Sequence, residues 1–215
     1  MTVTEMTDYV RRVHNAESDT NWSDTELYQL IQAKCNDVVS VVGLIQAIDT
    51  SITTVASTQS YSYPSNVIRI RRVQYDGRPT KLISLREFET RQPTGVAATG
   101  TPFEHVLWAD KIIFYPTPNA AETVTLYVEK QQSAITSGSS TVDIPEVFHS
   151  AVADAVISMM FDKDLNNAFS AKYEAKWLNF HIPNMKRYAQ MRRHTGGPLR
   201  VADSDSSLET DSGVI

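Results

Sequence analysis

Three arginines in one predicted strand are the residues whose type and spacing most directly suggest chemistry. Arg69, Arg71 and Arg72 lie in the segment YSYPSNVIRIRRVQYDGRPTKL, which spans residues 61–82. Strand alternation places Arg69 and Arg71 on one face, and a β-bulge near Arg72 would account for the break in that alternation. Guanidinium groups bind phosphates and carboxylates. The strand could therefore contact nucleic acid, another protein, or an acidic residue of the same chain.

The net charge argues against a general nucleic-acid partner. The 215 residues contain 20 Lys and Arg against 25 Asp and Glu, for a formal charge of −5 and an isoelectric point near 5.5. A protein that coats nucleic acid draws its affinity from many phosphate contacts. A protein-facing role or an intramolecular ion pair is therefore favoured over DNA contact for the three arginines.

Patterns typical of catalytic and metal sites are not found in the sequence. There is no G-x-S-x-G, P-loop, G-x-G-x-x-G or H-E-x-x-H motif. No two of the five histidines are three or four residues apart, so none form a helical metal pair. His149, in the first turn of a predicted helix, is assigned a packing or capping role. The histidines are His14, His105, His149, His181 and His194.

The segment DKDLNNAFSAKY resembles the start of a calcium loop. Asp162, Asp164 and Asn166 match the first three ligand positions, but the sixth position is Asn167 instead of glycine and the twelfth is Tyr173 instead of glutamate. The segment is predicted to be a turn between two helices. No catalytic, cofactor or metal site is predicted, and the single cysteine, Cys35, is interpreted as a small buried residue.

The order of the predicted elements is helices, a β unit, and helices again. A helix is predicted over about 4–15, and Ser23 and Glu26 form a capping box that begins a second helix running to about Val42. Six or seven antiparallel strands follow within 47–132, with Asp76-Gly77 as a hairpin turn. The stretch LREFETR is predicted to be a single helical turn. Val124, Leu126 and Val128 share the inner face of one strand.

The C-terminal third is predicted to return to the helices. Pro145 lies at the start of a helix whose buried stripe contains Ala151, Val152, Ala155, Met159 and Met160. A second stripe contains Leu165, Phe169, Tyr173, Trp177 and Phe180, and Pro183 is expected to end or kink that helix. Beyond Gly197 the polar tail has no periodicity, which is typical of a segment that is disordered alone.

The fold class predicted from this order is α+β. Helices at 1–46 and 141–194 form one bundle, an antiparallel β domain at 47–140 is inserted between them, and 195–215 form an extended tail. Charge differs between the two helical ends. Residues 1–60 contain three basic against eight acidic side chains, whereas residues 172–194 contain six basic against one acidic. These ends could pair within a subunit or between subunits.

Several short motifs, in their order and spacing, resemble the head-to-tail adaptor proteins of tailed bacteriophages that carry a β domain between bundle helices. The resemblance covers about residues 20–180. Its motifs are TELYQLIQAKCNDV, YSYPSNVIRIRRVQYDGRPTKL, REFE, IIFYPTP, VTLYVEK and DIPEVFHSAVADAV.

This resemblance implies a structural, non-catalytic protein without a cofactor, made in the host cytoplasm and located at the head–tail junction of a virion. It implies a homo-oligomeric ring, usually twelve-fold, between the portal protein and a tail tube, nozzle or other neck protein, with genome DNA passing through the lumen. The net negative charge agrees with a lumen that does not grip phosphates. Adaptors of this family can extend a C-terminal segment to the portal, and here its anchors would be Pro198, Leu199, Val201, Leu208, Val214 and Ile215.

Contacts with neighbouring subunits or tail components are predicted for two basic groups. One group is the strand with Arg69, Arg71 and Arg72. The other is the C-terminal helical stretch with Lys172, Lys176, Lys186 and Arg187, for which the acidic partners would be Glu5, Asp8, Glu26 or Asp37 of a neighbour.

The alternative function is a carbohydrate- or receptor-binding tail module that uses an aromatic face of the β domain. Its candidate residues are Trp108, Phe114, Tyr115 and Tyr127. Aromatic residues at strand spacing also serve as core or cross-strand pairs, so this pattern alone does not decide between the two functions.

Overall fold

The computed structural model describes residues 1–15, 22–92 and 98–193. Within these residues the chain forms helices at both ends and two four-stranded sheets between them, which confirms the predicted α+β class. The helices are Val3–His14 (α1), Asp24–Val42 (α2), Leu85–Arg91 (α3), His149–Lys163 (α4), Asn167–Lys176 (α5) and Ile182–Arg193 (α6). The strands are Gln46–Thr53 (β1), Ser60–Ser62 (β2), Val67–Tyr75 (β3), Arg78–Pro79 (β4), Lys81–Leu82 (β5), Thr99–Gly100 (β6), Glu104–Trp108 (β7), Lys111–Tyr115 (β8), Thr117–Pro118 (β9) and Thr123–Lys130 (β10).

Side-chain caps define the starts of the first three helices. The hydroxyl of Ser23 accepts a hydrogen bond from the Glu26 amide at 3.2 Å, as the sequence predicts. The Glu26 carboxylate pairs with Lys163 of α4 instead of closing the capping box. Complete capping boxes occur at Thr2 for α1 and at Ser84 for α3, which extends the predicted single turn to seven residues.

The centre of the helical core is α4, which is buried on nearly all sides. The predicted stripe is only part of this burial, because Ala153, Asp154, Val156 and Ile157 are also buried. α1 lies along α4 in the same direction, since His149 contacts the carbonyl of Met1 at one end and His14 lies near Asp164 at the other. This enclosure explains why the apolar pattern of α4 repeats too often for a one-sided helix.

The β unit has a second hydrophobic core between its two sheets. The sheet orders are β1-β10-β3-β4 and β2-β8-β7-β5. Val124, Leu126 and Val128 of β10 face this core, as predicted, and pack with Ile112 and Phe114 of β8. The predicted pairing was wrong in one respect: two-residue parallel ladders join β5 to β7 and β6 to β9.

The predicted hairpin turns are confirmed. Asp76 and Gly77 have φ values of 47° and 69° between β3 and β4, which is the left-handed pair that a type I′ turn requires. Ala109, with φ of 52°, begins the turn between β7 and β8. The Tyr63 hydroxyl donates to the Ala109 carbonyl at 2.7 Å, so the YSYP segment braces this hairpin.

The β unit enters and leaves the helical part of the chain at neighbouring points. The Lys130 amide donates to the Ile45 carbonyl at 3.0 Å. Gly43 ends α2 with φ of 71°, and a Cβ atom at this position would lie 2.4 Å from Oε1 of Glu129. The close approach and the positive φ together require glycine at the end of α2.

The predicted buried stripe of the C-terminal helices was largely wrong. Leu165, Phe169 and Phe180 are exposed, while Trp177 is buried. Pro183 does not end the helix either, because a π-helical turn over Trp177–His181 joins α5 to α6. The Ile182 amide donates to the carbonyl of Trp177, five residues back. The helical turn just before the proline therefore contains one residue more than an α-helical turn.

Within the described residues, no helix combines the length and the apolar character needed to cross a bilayer.

Candidate assembly surfaces

The arginines of β3 surround one buried carboxylate. Arg71 pairs with Glu129 of β10, its Nε atom donating to Oε1 at 2.8 Å, and Nη1 of Arg69 lies 3.7 Å from Oε2. The Glu129 side chain is only 2% exposed. A buried carboxylate needs such partners because desolvation disfavours its charged form. The intramolecular ion pair is therefore formed by two of the three arginines.

The predicted β-bulge lies at Arg71. Tyr127 is opposite Arg72 and Val128 is opposite Ile70, so Arg71 is the extra residue in β3. Arg72 is exposed, and its guanidinium carbon lies 5.8 Å from the centre of the Tyr127 ring. The bulge thus separates the roles of adjacent arginines: Arg71 pairs with a buried acid and Arg72 covers an aromatic ring on the surface.

An apolar groove lies beside this bulge and crosses the first sheet from the edge strand β1 over β10 to β3. Its volume is about 540 Å³. We call it the β1 groove. It is lined by Gln46, Ala47, Ile48, Arg71, Tyr127 and Val128. Ile48 is 62% exposed, which is unusual for an isoleucine in the middle of a strand. The groove therefore combines apolar surface with neighbouring guanidinium groups.

A second candidate surface follows α5, the π-helical turn and α6. We call it the C-terminal face; it contains Lys172, Phe180, Arg187 and Met191. The spacing of seven and four residues between Phe180, Arg187 and Met191 puts them on one side of the helix, whereas Met185 is buried on another side. No ion pair to Lys172, Lys186 or Arg187 is formed among the described residues.

Lys176 has a different environment from its basic neighbours. Its ammonium group lies 2.6 Å from Oδ2 of Asp154, a buried residue of α4, and His181 Nε2 lies 2.9 Å from the same oxygen. The hydrogen bond to Asp154 raises the pKa of Lys176. The structure therefore gives Lys176 a partner within its own chain, in contrast to Lys172, Lys186 and Arg187.

The acidic residues predicted to meet the basic helix also have partners in the same chain, with one exception. Glu5 closes the capping box of α1, Glu26 pairs with Lys163, and Asp37 lies 3.2 Å from Lys34. Asp8 is exposed on α1. Near Asp37, α2 presents the small or exposed side chains Ala33, Ser40 and Val41, which leave room for a neighbouring helix.

The histidines in the described residues are explained by packing and hydrogen bonding. His149 places one ring nitrogen 2.9 Å from the Met1 carbonyl and the other 2.8 Å from the Ile144 carbonyl, which confirms its packing role. His105 shares a hydrogen bond with Thr80 at 2.9 Å, and burial lowers its pKa to about 4. His194 lies outside the described residues.

The four aromatic residues considered for sugar binding do not form one platform. Phe114 is fully buried in the core of the β unit. Tyr115 makes edge contacts with Phe88 and Phe103, whereas Tyr127 lies beneath Arg72 on the other sheet. Trp108 is exposed at the end of β7. Phe114 is therefore not available on the surface, and the other three aromatic side chains do not lie together on one face.

No group of three or more metal-binding side chains occurs in the parts of the chain that the structure describes. The DKDLNN segment joins α4 to α5, with Leu165 at φ of 58°, so the predicted turn is confirmed. Cys35 is buried, and burial together with the nearby Asp143 raises its pKa to about 12. Its role as a packed core residue is consistent with this environment.

The predicted portal anchors Pro198, Leu199, Val201, Leu208, Val214 and Ile215 lie outside the described residues.

Sequence reasoning missed three buried acids, Glu104, Glu129 and Asp154, and two of them interrupt an apolar pattern. Glu129 interrupts a strand with an inward-facing charge, and Asp154 lies in the middle of an apolar helical stretch. A charge at a position where the pattern predicts burial is the signal that could have identified both. Neither basic partner was predictable, because Arg71 and His181 are distant in sequence.

The comparison with protein families supports the interpretation from sequence. The family model of the SU10 adaptor protein matches residues 1–202. A search of curated proteins gives no match. The family match covers the helices, the inserted β unit and the first part of the tail. The chain therefore belongs to the SU10 adaptor family, a family of bacteriophage head-to-tail adaptors that serve as structural components of the virion.

Proposed function

We propose that this adaptor forms a homo-oligomeric ring, with twelve subunits, between the portal protein and a tail tube, nozzle or other neck protein. Genome DNA passes through its lumen. The single observation that carries the proposal is the C-terminal face, where Phe180, which is 58% exposed, shares one side of the helix with Arg187, and Arg187 forms no ion pair among the described residues. Exposed aromatic and basic side chains on one helical face are typical of a protein interface.

The partner of the C-terminal face is a second copy of the chain. The net charge of the protein is negative, and exposed acids such as Asp8 and Asp37 lie on the N-terminal helices. Lys172, Lys186 and Arg187 of one subunit face this acidic helical surface of the next. Because exposed ion pairs contribute about 0–1 kcal/mol each, the charges set orientation and the apolar residues supply most of the affinity.

The β unit and the tail contact other virion components in this proposal. Arg72, with the exposed parts of Arg69 and Arg71, faces a neighbouring subunit or tail component. The tail, residues 195–215, extends to the portal through Pro198, Leu199, Val201, Leu208, Val214 and Ile215. In an extended polar segment, a small number of apolar anchors can span a large surface of a partner.

The test compares Phe180→Asp with Val55→Asp, each in the full chain. Both residues are exposed apolar side chains, Phe180 at 58% and Val55 at 59%, but Val55 lies in the β unit and not on the C-terminal helices. Sedimentation velocity and electron microscopy of the adaptor with its portal are expected to show rings for the native chain and for Val55→Asp. Phe180→Asp is expected to remain folded by circular dichroism and to lose the ring. Rings that survive Phe180→Asp would contradict this interface, and a native chain that stays monomeric on the portal would contradict the ring.

Deletion of 195–215 tests the portal contact separately. Binding of the shortened chain to portal-bearing heads is expected to fall at least tenfold in a sedimentation assay, about 1.4 kcal/mol. Unchanged binding would contradict the tail contact while leaving the ring interface standing.

A further inference from the structure

The β1 groove is an open site on the first sheet that begins at the edge strand β1. Ile48, Ala47 and Val128 supply apolar surface to the groove, and Arg71 of β3 is part of its lining, so the groove crosses three neighbouring strands. An exposed apolar groove bordered by charged side chains is a surface that can bind an extended peptide.

The charge around the groove is positive. Arg69, Arg71 and Arg72 are all exposed, whereas Glu129, the carboxylate that pairs with Arg69 and Arg71, is buried. Lys130 is neutralised by Asp49 at 3.3 Å. An extended segment with several acidic residues and a few apolar ones would therefore be complementary to this surface.

The helices direct the C-terminal part of the chain towards the groove. α2 begins near the end of α4, where Glu26 pairs with Lys163, so α2 ends near the start of α4 and beside β1. α6 runs towards that same end of α4, because His181 contacts Asp154 in the middle of α4 and Tyr188 packs 5.2 Å from Phe148 at its start. The chain after α6 thus continues from the end of the bundle where β1 starts.

The sequence after α6 contains a segment with the required composition. Residues 203–215, DSDSSLETDSGVI, contain four acidic residues and no lysine or arginine, with Leu208, Val214 and Ile215 as apolar side chains. This segment also lies beyond the part of the chain that the family model matches. About ten intervening residues span up to roughly 33 Å when extended, which is ample to pass from the end of α6 to the first sheet.

We propose that the β1 groove binds residues 203–215 of the same chain as an extended segment that crosses β1 and β10 towards Arg71. Apolar side chains of the segment occupy the surface formed by Ala47, Ile48 and Tyr127, and its carboxylates face Arg69, Arg71 and Arg72. The bound segment covers the exposed isoleucine before assembly. A further consequence, which rests on the proposed portal contact, is that the portal competes with the groove for Leu208, Val214 and Ile215.

The experiment uses the full chain with a nitroxide spin label at Ser212→Cys, recorded at a concentration where it is monomeric. Cys35 is buried with a raised pKa, so the introduced thiol is the one that reacts. In the ¹⁵N spectrum, the label is expected to broaden the amide signals of β1, Gln46–Thr53, and to leave those of α5 unchanged. Broadening at α5, or at no folded segment, would overturn the proposal.

Paired variants distinguish the groove from general attraction. Ile48→Asp removes apolar surface and adds a repelling charge, and Val55→Asp makes the same change at a residue of similar exposure, 62% against 59%, elsewhere in the β unit. Broadening at β1 is expected to disappear in Ile48→Asp and to persist in Val55→Asp. Broadening that both variants retain would overturn the groove as the site.

A mixed sample separates the same chain from a neighbour. Spin-labelled chain without ¹⁵N is combined with unlabelled ¹⁵N chain, and no broadening at β1 is expected. Transfer of the effect between chains would show that a second copy supplies the segment, which overturns docking within one chain. Because no portal is present, these outcomes are independent of whether the tail binds a portal.

Discussion

Two regions contain several basic side chains but differ in whether those charges are paired. One is the junction, where the β unit meets the end of α2, and the other is the C-terminal face. At the junction, Arg69 and Arg71 pair with the buried Glu129, directly beside the glycine that ends α2. On the C-terminal face, Lys172 and Arg187 are exposed, and they form no ion pair among the described residues. The comparison teaches that clustered cations in one chain can either pair within its own fold or remain exposed, and that the position of the nearest buried acid separates the two.

The largest expected effect comes from removing the buried acid at the junction. Glu129→Ala leaves Arg71 beside an empty, partly buried site, and we expect the free energy of unfolding to fall by about 3 kcal/mol. Urea denaturation followed by circular dichroism measures this change. Glu89→Gln, an exposed carboxylate on α3, is the control and should change stability by less than about 0.5 kcal/mol. Equal effects in the two variants would mean that the Glu129 ion pair contributes no more to stability than an exposed carboxylate does.

A pair of glycine variants sharpens the same contrast. Gly43→Ala combines a positive φ with a Cβ atom 2.4 Å from the Glu129 carboxylate, whereas Gly77→Ala has a positive φ and no atom within 4 Å. Left-handed strain costs each variant about 1 kcal/mol. We expect Gly43→Ala to lose a further ~1–2 kcal/mol because the ion pair must move. Urea midpoints that coincide for the two variants would show that the carboxylate yields freely.

His105 tests whether titratable side chains are also shielded from solvent in the second sheet. Its pKa is lowered to about 4 by burial, below the ordinary value of 6.5, so the unfolded chain binds the extra proton between these values. Stability is therefore complete above about pH 6.5 and falls as the pH decreases towards 4, by on the order of 2 kcal/mol from this residue. Thermal unfolding of the native chain and His105→Asn across pH 4–7 measures the difference. If the stability of the two proteins changed with pH in the same way, the lowered pKa of His105 would be contradicted.

The smallest effect on stability is expected on the C-terminal face. Reversal of charge in the double variant Lys186→Glu/Arg187→Glu should change the free energy of unfolding by less than about 0.5 kcal/mol, because both side chains are exposed. Assembly with the portal should weaken and lose its dependence on salt. Reversing Lys111, an exposed residue of β8, provides the control. A large loss of stability in the double variant would show that Lys186 and Arg187 stabilise the fold of their own chain.

Much of the fold could be predicted because it depends on local signals. Ser23 begins α2, Gly43 ends it, and Asp76-Gly77 forms a hairpin, each through backbone preferences that a few adjacent residues determine. The alternation of Val124, Leu126 and Val128 identified the inner face of β10 for the same reason. These features require no knowledge of distant contacts.

The remaining features depend on contacts between distant residues. Phe169 and Phe180 follow a helical spacing that is equally consistent with burial and with an exposed interface, so the pattern could not predict their exposure. The β-bulge was predicted, but the pairing of Arg71 with Glu129 joins residues 58 positions apart. Pro183 was expected to end or kink the helix, whereas a π-helical turn carries the chain past it.

The hydrogen bond between Lys130 and Ile45 has a consequence for how such a chain can change. Because the residues that enter and leave the β unit are in contact, a short loop could join Ile45 directly to Lys130. The helices on either side would not have to move. Insertions, deletions or exchange of the whole unit at this point would leave the paths of α2 and α4 intact. The hydrogen bond therefore marks a splice point, where a different module could replace the β unit while the bundle is kept.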